Sequence, residues 1–273
     1  MGRAIGIDYI SVVGLHPVEF VKLARRLGCD HIGIGLEPGG DNPHGYAPWS
    51  LRSDAGLRRD LKRALADHDV TISIGDGLLG RPDVPAAAVE ADLDLFAELG
   101  VTTANLVSLD PDRDRASASI AAFADAARAR GMRAVIEFLP GLPLASSLPA
   151  AVDLVERAGS PNLGVVIDAM HTFRSGASVA DIAALAPGQA GYLQLCDVPM
   201  PALPGIAHHE EARYERRIPG DGDLPLAELL RAVPSDLVIA LEVPQRALAQ
   251  AGMGPEDRLR PAVERTRALL AGL

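Results

Sequence analysis

Eight strand-like runs, each followed by a helix-like run, succeed one another along the whole chain. The strand-like runs are AIGIDYI, HIGIGL, VTISIGD, TANLVSL, RAVIEFL, LGVVIDA, YLQLCDV and LVIALEV. They are short, apolar and rich in β-branched residues, which suits buried strands. Amphipathic segments between them predict helices near 17–28, 50–68, 84–99, 112–130, 146–159, 178–186, 223–232 and 256–271. Eight strand–helix units in 273 residues predict an α/β fold, a (β/α)8 barrel forming a single domain over 1–273. No Ser/Gly-rich linker or charge run divides the chain. A doubly wound open sheet shares the alternation, but it would carry a glycine-rich turn after the first strand. The segment there, SVVGLHPVEF, has one glycine, and the later PGDGD at 219–223 follows a long loop and reads as a tight turn.

Composition narrows the function classes. A net charge of −10 argues against nucleic acid or an anionic membrane surface as partner. Aromatics are only 4% of residues, so branched aliphatics and alanine must fill the core. The only lysines, Lys22 and Lys62, fall in amphipathic helical segments, which leaves a Schiff-base mechanism without a candidate. Two cysteines, Cys29 and Cys196, make no disulfide framework. The start MGRAIGIDYI lacks a secretory pattern and no apolar run reaches membrane-span length, so a reducing cytoplasmic setting is expected. The expected partner is a small-molecule substrate, and assembly into a homo-oligomer is left open.

In such a barrel, chemistry sits at the C-terminal strand ends. The last four strands each place a polar residue there: Glu137, Asp168, Gln194 and Glu242. Alternation puts Val135, Val166, Tyr192 and Ala240 on the same faces, so all four polar residues can point into one small volume. Taken singly, a strand-end carboxylate is more often a helix cap or an ion-pair partner. Taken together, three crowded carboxylates repel in a low dielectric, and a divalent cation relieves this. Four oxygen ligands suit Mg2+ or Mn2+, with Co2+ and Zn2+ as alternatives. On this reading a metal ion is what makes a buried Asp168 tolerable.

His171 reads either as a hydrogen-bond donor or proton carrier lining the site, or as a structural loop residue. Cys196 reads as packing. The loop HHEEARYERRIPGDG, with His208, His209, Arg213, Arg216 and Arg217, reads as a solvated charged lid, with Arg217 the arginine chosen to hold an anionic substrate group. In the loop EPGGDNPHGYAPWSLRS, Trp49 with His44 and Tyr46 is read as one wall of the pocket, with plain loop packing as the alternative.

The strand-five glutamate, the D-x-x-H of Asp168 to His171 and the strand-eight glutamate resemble the xylose-isomerase-like barrel superfamily of sugar isomerases, ketose epimerases, hydroxypyruvate isomerase, and inosose and dehydroshikimate dehydratases. The likeness runs over essentially the whole chain. Gln194, where many relatives have histidine, is most similar to the hydroxypyruvate isomerase and dehydroshikimate dehydratase branches. The resemblance implies that Glu137, Asp168, Gln194 and Glu242 bind a metal, that Glu137 and Glu242 also act as acid and base, and that His171 contacts substrate. It implies a metal-dependent isomerase or epimerase acting on a small polyhydroxy carbonyl compound, with a lyase or dehydratase as the alternative and a non-catalytic binding protein behind both. Pro143 and Met200 stand where keto-sugar epimerases carry an acidic residue and a substrate-binding arginine, which speaks against free-ketose epimerisation.

Overall fold

A computed structural model describes residues 3–39 and 42–273. Eight parallel strands close in chain order into a barrel. They are β1 (Ile5–Ile7), β2 (His31–Gly35), β3 (Thr71–Gly80), β4 (Thr103–Ser108), β5 (Arg133–Glu137), β6 (Leu163–Asp168), β7 (Ala190–Leu195) and β8 (Ile239–Leu241). Closure comes from β1 on β8, with Ile5 opposite Ile239 and Ile7 opposite Leu241. The helices outside are α1 (Pro17–Arg26), α2 (Ala55–His68), α3 (Ala86–Leu99), α4 (Arg113–Ala129) and α5 (Leu148–Ala158). The second half adds α6 (Ala169–Arg174), α7 (Val179–Ala183), α8 (His208–Tyr214), α9 (Leu226–Ala232), α10 (Arg246–Gln250) and α11 (Pro255–Ala271). Among the described residues no helix is long and apolar enough to cross a membrane.

Two apolar layers follow from strand alternation. The larger lies between strands and helices; there Phe96 of α3 packs so closely on β3 that a Cβ at Gly75 would come within 2.8 Å of its ring. The smaller is a separate cluster of Ile74, Val135, Val166, Tyr192 and Ala240 within the ring of strands, with the Tyr192 hydroxyl 2.8 Å from Ser73 Oγ. Four of these five are the residues that alternation assigned to the inward face. This plug seals the barrel below the strand ends and makes them the floor of a site.

Several boundaries differ from the sequence expectation. The first strand stops at Ile7, because Asp8 caps a 3-10 turn over Tyr9–Val12 by accepting from the Tyr9 N–H at 3.2 Å. The helix expected from 50 begins at Ala55, after Asp54 caps it through the Leu57 N–H. β3 continues to Gly80, past a register shift where Gly77 takes φ +91°. α6, α8 and α10 were not anticipated. α8 places helix inside the segment read as a solvated lid.

Candidate active site

Asp168 ends β6 and is also the N-cap of α6, accepting from the His171 N–H at 2.8 Å. A carboxylate at a helix N-terminus gains both a hydrogen bond and the favourable end of the helix dipole. Its other oxygen takes a hydrogen bond from Arg216 Nη1, and the same nitrogen lies 2.7 Å from Glu242 Oε2. Arg216 is itself buried; its Nε donates to the Ala212 carbonyl at 2.7 Å. Beside the cation expected from sequence, Asp168 thus has two further sources of compensation, a helix N-terminus and a guanidinium. Asp168 is both helix cap and ion-pair partner, the two uses common for a strand-end carboxylate taken alone.

Around this pair the strand ends form a continuous polar ring. Gln194 Nε2 donates to Asp8 Oδ2 at 2.9 Å and reaches Glu242 Oε1 at 3.2 Å. Asn105 Nδ2 links Asp76 Oδ1 at 2.8 Å to Glu137 Oε2 at 2.9 Å. His171 Nε2 stands 3.6 Å from Glu137 Oε1, while its Nδ1 lies 3.1 Å from Nε2 of His208 on α8. Three residues on from His171, Arg174 Nη2 grips both oxygens of Glu211 at 2.8 and 3.0 Å. Two clasps therefore hold α8 down on α6, over the site.

Electrostatics divides the carboxyls. Burial, and then the charge of Asp168, pushes Glu137 up to about 7; burial and Glu137 push Asp76 up to about 7. Asp8 is raised by burial and by Asp76, and Glu242 is raised by burial although Arg216 opposes it. Burial would raise Asp168 too, but the Arg216 charge, helped by His171, holds it below the usual carboxylate range. The two partners of one guanidinium thus differ. Asp168 makes the aligned hydrogen bond and has the helix N–H, so it takes the ionised role, while Glu242 Oε2 is close to Arg216 without a hydrogen-bonding alignment. Burial drives His171 down to about 3, so its imidazole is neutral.

A cation fits this donor set. Donor atoms of Glu137, Asp168 and His171 lie within 4.8 Å of one another, and Gln194 Oε1 is buried with no partner. Glu242 stands outside that close group, with Arg216 between it and Asp168. The guanidinium therefore competes for the same two carboxylates as a metal would.

The structure brings Glu137, Asp168, His171, Gln194 and Glu242 into one site. Arg217 is not brought there: it is exposed, and its Nη1 binds the Asp221 carbonyl at 2.8 Å. Trp49 is half-buried against the core and donates from its indole to the Gly14 carbonyl at 3.1 Å. Its loop includes residues 40 and 41, which lie outside the described ones. Met200 is exposed beside Arg174. Cys196 is buried 3.6 Å from Arg216, yet burial keeps its thiol up to about 12, in keeping with packing. Asp8, Asp76, Asn105 and Arg216 were not among the site residues read from sequence. Asp8 and Asp76 give the same signal as the last four strands, a polar residue at the end of an apolar run, whereas Asn105 lies within its strand.

Fold and site define a (β/α)8 barrel with a carboxylate-rich centre able to hold a cation at its C-terminal strand ends. The chain belongs to the xylose isomerase-like TIM barrel family, whose pattern matches residues 21–269. A 3-dehydroshikimate dehydratase of Pseudomonas aeruginosa is 31% identical over 193 residues, covering 65% of this chain; the match spans only 30% of that protein's length. Among solved structures, the IOLI protein with a bound zinc atom superposes with a TM-score of 0.80 at 15% identity, covering 98% of each chain. A D-psicose 3-epimerase determined in the presence of D-fructose gives 0.73 at 17% identity, covering 98% of this chain and all (100%) of the other.

Proposed function

We propose that this chain is a divalent-cation-dependent isomerase or epimerase that removes a proton next to the carbonyl of a small polyhydroxy compound. The observation that carries the reading is the placement of Glu137 and Glu242 at the ends of β5 and β8, on well-separated strands of one barrel, above a sealed floor. One glutamate takes the proton from carbon and the other returns a proton to the neighbouring carbon or the opposite face, which moves the double bond or inverts the centre without loss of atoms. Glu137, Asp168, Gln194 and Glu242 would hold the cation, with Arg216 drawing back from Asp168. When bound, the cation stabilises negative charge developing on substrate oxygen. The neutral His171, oriented through Nδ1 by His208, offers Nε2 to a substrate oxygen. α8, clasped to α6, keeps water off the reacting carbon.

A dehydratase is the second reading. It is favoured by the 31% identity to a 3-dehydroshikimate dehydratase together with Gln194 on β7. The proton would leave to the same glutamate, and a hydroxyl on the next carbon would depart as water.

Incubation with ketoses, inososes and keto-acids in deuterated water, with Mg2+, Mn2+, Co2+ or Zn2+ added, tests both. Deuterium on an intact carbon skeleton, abolished in Glu137→Gln, is the expected result. Loss of water from the substrate replaces the first reading with the second. Absence of exchange with every compound and metal would overturn both.

A further inference from the structure

A cavity of about 30 Å3 lies between the turn after β1, the loop after β8 and the start of α11. Its walls include Ser11, Gly39, Arg213, Gln245, Arg246 and Arg258, three of them arginines and, among the described residues, none a carboxylate. Arg246 is engaged elsewhere, lying 3.6 Å from Glu210 and 3.8 Å from Glu215 and stacking over the Tyr214 ring. Arg258 is different. It is 4% exposed, its Nη1 donates to the Ser11 carbonyl at 3.2 Å, and its Nη2 lies 3.5 Å from His44 Nε2. Its Nε is buried and unpartnered, and no carboxylate among the described residues reaches it. Gln245 Oε1 is also buried without a partner.

Burying a guanidinium with no counter-charge costs several kcal/mol, and the Ser11 carbonyl and His44 replace only part of the hydration that Arg258 loses. The unpartnered guanidinium nitrogen calls for an anion. A carboxylate, planar and small, suits both the volume and the two-pronged guanidinium. Gln245, its amide turned end for end, would add an N–H donor to the same oxygens.

We propose that this cavity is a carboxylate-binding subsite seated by Arg258 and Arg213. Three of its walls stand near residues of the polar ring in the chain: Gln245 is three residues beyond Glu242, Ser11 three beyond Asp8, and Arg213 three before Arg216. Resting on the proton-abstraction reading, such a subsite makes the substrate a polyhydroxy keto-acid rather than a neutral sugar.

The test is calorimetric titration of the intact protein, free of divalent metal, with acetate, pyruvate and inorganic phosphate. Acetate and pyruvate are expected to bind saturably, and at least tenfold more weakly in Arg258→Met and Arg213→Met. Arg213 is exposed, so its variant keeps the fold if the Arg258 variant does not; Arg258→Lys should retain part of the affinity. Absence of binding, equal affinity in both methionine variants, or binding of phosphate but neither carboxylate would overturn the proposal. Because the assay uses no metal and no turnover, its outcome is independent of whether the chain catalyses proton abstraction.

Discussion

Arg216 Nη1 lies 2.7 Å from Glu242 Oε2 while donating to Asp168, so one buried guanidinium ties the end of β6 to the end of β8. The arginine comes from the segment just after α8, which couples the roof of the site to two strands of its wall. Removing one partner of a buried ion pair leaves uncompensated charge and costs about 3–5 kcal/mol.

Replacing Arg216 by Met should therefore lower stability by roughly that amount in the absence of metal. Addition of Mn2+ or Mg2+ should then raise the melting temperature more than it does for the native chain, because the carboxylates are free to accept the cation. Thermal unfolding of both proteins with chelator and with metal checks this; equal metal-induced shifts would show that Arg216 and the ion do not compete.

Gly33 of β2 stands against Asp8, and a Cβ there would overlap Asp8 Oδ1 and crowd Ile74 Cγ2 at 2.9 Å. Gly33→Ala should cost about 1–3 kcal/mol by overpacking. It should also lower activity, since Asp8 would be pushed away from Gln194. In the double variant Asp8→Ala/Gly33→Ala the combined cost should fall short of the sum of the single changes. Urea denaturation of the three variants measures the coupling, and strict additivity would argue against this contact.

The pH dependence of stability has a definite sign. Asp76 titrates near 7 in the folded chain against 3.8 in the free side chain. Between those values the folded state binds the extra proton, so this contribution is full below about pH 4 and is lost as pH rises through about 7. Asp168 acts oppositely: its lowered value means that its contribution is lost as pH falls below the usual carboxylate range. Asp76→Asn cannot ionise, so the fall in stability between pH 5 and 8 should be shallower than in the native chain, with Asp8, Glu137 and Glu242 supplying what remains. Unfolding free energies at the two pH values decide it.

The fold was legible because strand alternation leaves a two-residue period that composition does not blur. Val135, Val166, Tyr192 and Ala240 were assigned one face by counting alone, and they form the plug. The same counting found Glu137, Asp168, Gln194 and Glu242. Asp76 keeps the same period, two residues on from the inward-facing Ile74, but a strand-end carboxylate taken singly reads equally well as a helix cap, which is what Asp8 is. The choice between Arg216 and Arg217 had no local signal. The main chain of Arg217 pairs with that of Asp197 through hydrogen bonds of 2.9 Å in both directions, and successive side chains of an extended segment point opposite ways, so one arginine enters the site and its neighbour leaves it. α6 was hidden for a related reason. The strand runs straight into it with no turn residue between, and its cap is the site aspartate itself.

That six-residue helix has a mechanical consequence. At about 1.5 Å per residue it is only about 9 Å long, with Asp168 at its head and the two clasps to α8 at His171 and Arg174 along its length. A rod so short transmits a push with little bending. Any lifting of α8 must either break a clasp or tug on Asp168, so the roof of the site and the end of β6 are geared together through a single rigid link.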